Sequence, residues 1–539
     1  MATAPARRPL SDLLQIPPIA DVHAPRRLAR APSWAIATVV LALALAVAAV
    51  LRTRMISGEL WFQEAGAVGL AQQPLSHLLG DVRRAGAAPL YYLALHVWIA
   101  AFGSGAAATR ALSLAISLAT LPIAMWAGWT LGGRRAGVFA AVLFAFSAYL
   151  TRYGQEDGPF ALQFALSLVA TGSLVLAFVH RRRAFLWPLG CAMALMLYTQ
   201  GSGLFWWIGA AAATWVLART APAAQRRAIA RDALICFGAA AVAYLPWLPS
   251  TLQEAAHSTA VWHYTPLLGA TIPSQLLGSE RVDVVLLTAV VIAAAELGSR
   301  ALRRTEAART LWALLTLPAA AFVAARIAGS IIPVWAARYL GPVVPPLLLL
   351  GALGCARARV VGVAVVVFCI AFLANPASFV PAHRSDMAEV AAQMTPLLSP
   401  GDLVVVAQPE QAPLAYYYLP AGLRWETTLG ADPHPSFTDW DGALARLRSA
   451  RPQALLPGLV ASLRPGQQLL YVRPLTEGER NWDEPWTQLV RRRAAQWGEI
   501  LAGDVARGTL EQVAHAPENY PSACCIASSA VLYRKAPTR

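Results

Sequence analysis

"PLYYLALHVWIAAF", Pro89 to Phe102, decides how this 539-residue chain lies across a membrane. The run is apolar, but it holds only fourteen residues, opens on a proline and carries His96, whereas a spanning helix needs roughly twenty residues. If it crossed, "GGRR" at 132–135, "HRRR" at 180–183 and the arginine-rich loops 219–232 and 298–309 would face outward. That inverts the positive-inside bias at every loop. Laid at the interface, the run returns all of these loops to the cytoplasm, together with the basic N-terminus and Arg357 and Arg359. Eleven spans follow, near 34–51, 106–131, 136–150, 161–179, 184–199, 203–218, 233–250, 284–297, 310–332, 338–354 and 359–374. The N-terminus is then inside and the C-terminus outside.

Composition agrees. Hydrophobic residues make up 57% of the chain and charged ones 14%, beyond the balance of a soluble domain. The net charge is +15, and Lys535 is the single lysine. A nucleic-acid binder gathers such charge on one polar face; here the arginines sit in short runs between apolar segments, which excludes that class. No small-residue cleavage site follows the first apolar run, so the first span is expected to stay. Cys191, Cys236, Cys355 and Cys369 lie in apolar segments and read as small core residues. The pair Cys524 and Cys525 lacks metal or redox spacing. A transporter is disfavoured because few charged residues fall in the spans, Arg326 being the clearest, and no broken pair of segments marks an inverted repeat.

The predicted organisation is a cytoplasmic tail (1–33), a polytopic α-helical membrane domain (34–375) whose first outer loop is 52–105, and an extracytoplasmic α/β domain (376–539). In the last, 384–398 has helical periodicity, "DLVVVA" at 402–407 reads as a buried strand and "QAPLAYYYLP" at 411–420 as a short helix closed by proline. A long helix is predicted around 481–503, strands near 467–473, 509–514 and 528–534, and an ordered loop over 421–441. "YYY" at 416–418 reads as core packing of this domain. The outer face collects the first loop, "TRYGQEDGP" at 151–159, "YTQGSG" at 198–203, the loop 251–283 and "VWAARY" at 334–339.

Those segments carry a resemblance. "LWFQEAG" stands where W-x-D-E-A occurs, "APLYYLALHVWIAAFG" for H-P-P-L-Y-Y, then "ATRALSL", "GGRRAG", "YGQEDGPFAL" for S-Q-E-A-R-x-Y-A-L, "LYTQ" for L-Y-T-H, "ARYLGPVVPPLLLL" for P-R-Y-L-x-P, and "PGDLVVV". In that order they resemble the C-type superfamily of membrane glycosyltransferases, among them bacterial relatives of protein O-mannosyltransferases and aminoarabinose transferases. The resemblance implies a protein of the bacterial cell membrane that takes a sugar from a polyprenyl-phosphate carrier to a hydroxyl of a glycan, lipid or protein on the outer side. It implies no cofactor, and its partners are the lipid-linked sugar and membrane lipid.

Such transfer needs a carboxylate to take the acceptor proton and a cation to hold the leaving phosphate. The motif's aspartate is Gln63 here, which cannot take a proton, and Glu64 remains. Its two readings are a base shifted by one position and a structural carboxylate paired with an arginine such as Arg52 or Arg84. Ala87, Gly158 and Gln200 likewise replace a histidine, an arginine and a histidine of the family pattern. A degenerate member that binds a lipid-linked sugar or partners an active enzyme is therefore the alternative function. Glu156 and Asp157 can supply a carboxylate or cap the helix that Pro159 opens. Arg338, beside Tyr339 in "ARYLGP", is the leading phosphate ligand, against a snorkelling anchor; Arg110 is a second. Gln155, Tyr91 and Tyr198 complete the expected cleft. His257, His263 and Tyr264 lack convergent carboxylates, so no metal site is expected.

Overall fold

The computed structural model describes residues 33–261, 305–331, 337–358, 360–373, 385–475, 485–516 and 527–537. The predicted run 284–297, His263, Tyr264, Cys524, Cys525 and the side chain of His257 lie outside them. The membrane part is helical: α1 Ser33–Thr53, α2 Phe62–Ala71, α3 Leu75–Arg84, α4 Pro89–Phe102, α5 Ala106–Phe146, α6 Ala148–Tyr153, α7 Phe160–Phe178, α8 Leu186–Thr199, α9 Gly203–Thr220, α10 Ala223–Tyr244 and α11 Leu248–Val261. Glu306–Ile331, Val344–Arg357 and Val360–Leu373 follow.

Six helices among the described residues are long and apolar enough to cross a membrane: Trp34–Thr53, Ala106–Phe146, Phe160–Phe178, Ala223–Ala256, Glu306–Ile331 and Arg338–Arg357. Fewer pass than the eleven runs, partly because α8 and Val360–Leu373 have 14 residues each. In addition, α5 contains two of the runs. It breaks at Gly133, with φ 80° and ψ 178°, a conformation open to glycine. A Cβ on Gly128 would stand 2.7 Å from the Ala136 carbonyl, and one on Gly137 2.7 Å from that of Met125. The two arms of α5 thus fold back on each other with backbones in contact. The fourteen-residue apolar run is a separate helix, α4, with Pro89 in its first turn, where its missing N–H costs nothing.

One apolar core runs through α1, α5, α7, α8, α9, α10 and the helices 306–331 and 344–357. Its basic segments meet at one end: Arg181 and Arg183 pair with Asp232 at 3.2 and 3.1 Å, and His180 with Glu306 at 3.0 Å. The 19 residues of α7 separate that end from the 154–159 turn by about 28 Å, close to the thickness of a bilayer's hydrocarbon.

The C-terminal part is a six-stranded mixed sheet in the order β3-β2-β1-β4-β6-β5, formed by β1 Leu403–Val406, β2 Arg424–Thr427, β3 Gly430–Ala431, β4 Gln468–Leu475, β5 Leu510–His515 and β6 Ala527–Lys535. β1 pairs in parallel with β2 and β4, and the other pairings are antiparallel. The expected strands and the helices 387–394, 412–418 and 485–506 are all present. The segment 421–441 is not a simple loop, since it contains β2 and β3; their four and two residues are too short for a period to show. β1 is buried throughout: Leu403 and Val405 face a cluster with Trp497, while Val404 and Val406 face another. That second cluster includes Leu60, Ala65 and Val68 from the first loop. One face of the sheet is thus completed by α2.

Candidate functional site

The opening of α2 is built around Glu64. As the third helical residue it reaches back to accept the Trp61 backbone N–H at 3.2 Å, the reciprocal half of a capping box. Glu64 is 0% exposed and makes a two-pronged ion pair with Arg110, itself 2% exposed: Nε donates to Oε1 at 2.8 Å and Nη2 to Oε2 at 2.7 Å. Oε1 also accepts the Asp157 backbone N–H at 3.1 Å. Each carboxylate oxygen therefore accepts two hydrogen bonds, its full capacity. Glu64 is paired with neither Arg52 nor Arg84. Arg52 donates to the carbonyls of Ser117 (2.7 Å) and Phe144 (2.6 Å), and Arg84 pairs with Asp81.

Arg110 is equally occupied. Nη1 donates to the carbonyls of Met55, Ile56 and Gly58, and Nη2 to that of Glu59 at 2.8 Å. All its donor nitrogens are engaged within the protein. It holds four carbonyls of the 55–59 loop onto the first turn of α5. Gln155 adds to that loop, with Oε1 accepting the Met55 N–H at 3.0 Å and Nε2 donating to the Thr151 carbonyl at 3.1 Å.

Asp157 does not cap α7, whose N-terminus has no side-chain cap. Its Oδ2 accepts from the Thr109 hydroxyl at 2.7 Å, while Oδ1 is buried with no hydrogen-bond partner among the described residues. Burial, with Glu64 beside it, pushes the carboxyl well above the usual range, against the Thr109 hydrogen bond and the Arg110 charge. An unanswered buried carboxylate oxygen is costly and is the kind of feature found where chemistry is done. Thr109 was not singled out from sequence, although it adjoins Arg110 in "ATRAL".

The other expected residues divide. Gln63 is exposed, about 100° around α2 from Glu64. Tyr91 is buried and its hydroxyl lies 3.0 Å from that of Ser113. Glu156 is buried and 3.5 Å from Arg152. Arg338 lies over the Tyr339 ring at 5.5 Å, and its carbonyl accepts from the Tyr149 hydroxyl at 3.3 Å; both residues are partly open. Tyr198 and Gln200 belong elsewhere. The Tyr198 hydroxyl donates to the Ala243 carbonyl at 2.8 Å. The Gln200 carbonyl accepts from Gln163 at 3.4 Å, and the side-chain oxygens of both glutamines are buried with no hydrogen-bond partner among the described residues. Among the described residues no three His, Cys, Asp or Glu gather as metal ligands.

The tyrosines at 416–418 do more than pack their own domain. The Tyr418 hydroxyl accepts the Leu60 N–H at 2.8 Å, and that of Tyr417 donates to the Ser104 carbonyl at 3.1 Å. They tie the sheet domain onto the loop that carries Glu64.

No family model matches this chain, and no curated protein does. Solved structures do. ArnT from Cupriavidus metallidurans in the apo state is 13% identical, with 93% of this chain and 98% of that one covered at a TM-score of 0.58. The same protein bound to undecaprenyl phosphate is 14% identical over the same shares, at a TM-score of 0.54. The archaeal oligosaccharyltransferase AglB from Archaeoglobus fulgidus, in complex with an inhibitory peptide and a dolichol-phosphate, is 12% identical, with 81% of this chain and 69% of that one covered, at a TM-score of 0.53. The chain is a membrane protein with the fold of these structures, the fold that its ordered motifs led one to expect.

Proposed function

We propose that the protein is a membrane glycosyltransferase that takes a sugar from a polyprenyl-phosphate carrier and passes it to a hydroxyl on the outer side of a bacterial cell membrane. The observation that carries this reading is the likeness, over nearly the whole of both chains, to a structure bound to undecaprenyl phosphate. The topology that goes with it has eleven spans, the basic bend of α5 and the basic ends of α7 and α10 in the cytoplasm, and the sheet domain outside. Fold alone does not establish chemistry, so the residues must supply it.

In this reading Glu64 and Arg110 are the frame and not the reacting groups. A base needs an open lone pair, and Glu64 has none. Asp157 is the neighbouring carboxylate with an oxygen to spare, held by Thr109 at the other oxygen, and its raised proton affinity suits removal of a hydroxyl proton. As the acceptor oxygen attacks the anomeric carbon, the bond to the carrier phosphate breaks and the phosphate keeps the electron pair. Arg338 is the cation proposed to receive that charge, from its half-open position beside Tyr339. Arg338→Ala is expected to weaken donor binding by about 1.5–3 kcal/mol, the range for hydrogen bonds to charged groups, with lysine recovering only part because it lacks the planar fork. Isothermal titration with a polyprenyl-phosphate sugar measures both.

One observation favours a second reading, that of a lipid-linked-sugar binder without turnover. Gln63 stands exposed at the position where the family pattern has its aspartate. Incubating purified protein with polyprenyl-phosphate sugar and an acceptor mixture separates the two. Release of carrier phosphate by the natural sequence supports transfer. Binding without release, and release on Gln63→Asp, supports the binder.

A further inference from the structure

Between α2 and the sheet domain lies a cavity of about 810 Å³, within the size range of small-molecule sites. α2 turns Ala65, Gly69 and Gln72 toward it, a spacing of four and three residues that keeps one helix face. Gln63 is about 200° around the helix from Ala65. The cavity is therefore on the opposite side of α2 from the position where the family pattern has its aspartate.

The chemistry of the lining is specific. Tyr416 and Trp425 meet edge to face, with ring centres 5.5 Å apart and planes at 66°, and Tyr416 is 44% exposed. Tyr417 continues this aromatic wall and is fixed by its hydrogen bond to Ser104. The lining also holds polar groups: Asp432, whose backbone N–H donates to the Trp425 carbonyl at 3.2 Å, Gln72 and Ser436. The Asp432 Oδ1 accepts the His434 backbone N–H at 3.2 Å, and the Gln72 side chain is exposed. Burial holds the Asp432 carboxyl above its usual range. Among the described residues no lysine, arginine or histidine lines the cavity, so none of them there balances a phosphate. An uncharged ligand with an apolar face and an edge of hydroxyls fits this lining. A pyranose ring is such a ligand, with its C–H face against an aromatic ring and adjacent hydroxyls donating to a carboxylate and pairing with an amide.

We propose that this cavity binds an uncharged glycan, and, resting on the transferase reading, that the glycan is the acceptor chain held away from the reacting end. The wall on α2 and the wall on the sheet domain must both be present, which gives the docking of that domain onto the first loop a use beyond burial.

The test uses the full-length protein in detergent and saturation-transfer NMR with neutral trisaccharides of gluco, galacto and manno configuration. No donor is present, so the outcome is independent of whether the protein turns over lipid-linked sugar. At least one trisaccharide should bind, with its ring C–H protons receiving the strongest transfer. Trp425→Ala should weaken it roughly tenfold or more, about 1.4 kcal/mol. Asp432→Asn, which preserves shape, should weaken it severalfold and decides the matter if Trp425→Ala does not fold. Absence of binding by all three sugars, equal binding by wild type and both variants, or binding of a proline-rich peptide in their place overturns the proposal.

Discussion

Glu64 in the first loop and Glu410 in the sheet domain are both taken out of water, yet only the first has a cation beside it. Glu64 accepts four hydrogen bonds, two from Arg110 and two from backbone N–H groups. Glu410, 5% exposed, accepts one from the Trp486 indole at 2.6 Å, and its Oε2 is buried with no hydrogen-bond partner among the described residues. Burial pushes the Glu410 carboxyl up from 4.5 to about 7. The difference shows what burial does to a carboxylate alone and what a guanidinium changes. With a two-pronged partner the buried charge becomes a clasp between elements; without one the site favours the proton.

The largest effect expected from this contrast is at Arg110. Arg110→Met strands a buried carboxylate and several loop carbonyls, and should cost about 3–5 kcal/mol, as breaking a buried ion pair does. The double variant with Glu64→Gln should recover part of that loss, because the two act as a unit. Thermal unfolding in detergent measures both, and a single variant that melts like wild type breaks the comparison.

Next is Asp157, which shares the Glu64 site without sharing its saturation. Asp157→Asn keeps an acceptor for Thr109 and removes the basic oxygen. Turnover should fall at least about a hundredfold while the melting temperature stays or rises, since a costly buried charge is gone. Unchanged turnover would remove Asp157 as base.

Glu410 sharpens the other side. Its folded pKa lies above its unfolded value, so the folded state holds the proton more tightly. This contribution is fully present below about pH 4.5, is lost as the pH rises, and above about pH 7 it amounts to about 3 kcal/mol of lost stability at 1.36 kcal/mol per unit. Glu410→Gln should flatten that dependence and stabilise the protein at pH 8. Hydrogen exchange of β1 and β4 at pH 5 and pH 8 reads it.

The smallest effect is at the seam between the two regions. Tyr418→Phe leaves the Leu60 N–H without its acceptor and should cost about 1–2 kcal/mol, visible as faster exchange at Leu60.

The helices and most strands were legible because they are local. Apolar runs of a given length and period declare themselves, and β1 was read from "DLVVVA" because a strand buried on both faces needs an unbroken apolar run. β2 and β3 escaped, being too short to show a period. Of the candidate site, the sequence names Glu64, Arg110 and Asp157 but not their pairing: Arg52 and Arg84 are nearer Glu64 in sequence than Arg110, which holds it.

From sequence alone came membrane residence, the order of helices and the sheet domain at the C-terminal end. These depend on composition, period and motif order, which no contact can alter. Tertiary structure alone decided that Glu64 is saturated by Arg110, that Asp157 keeps an unanswered oxygen, and that the sheet domain completes its core with α2 and leaves a cavity there. Residues 46 and 93 positions apart share one carboxylate only because α5 and the 154–159 turn are packed against the first loop. Sequence distance carries no information about which donor a buried oxygen will meet; the packing of the chain in space does.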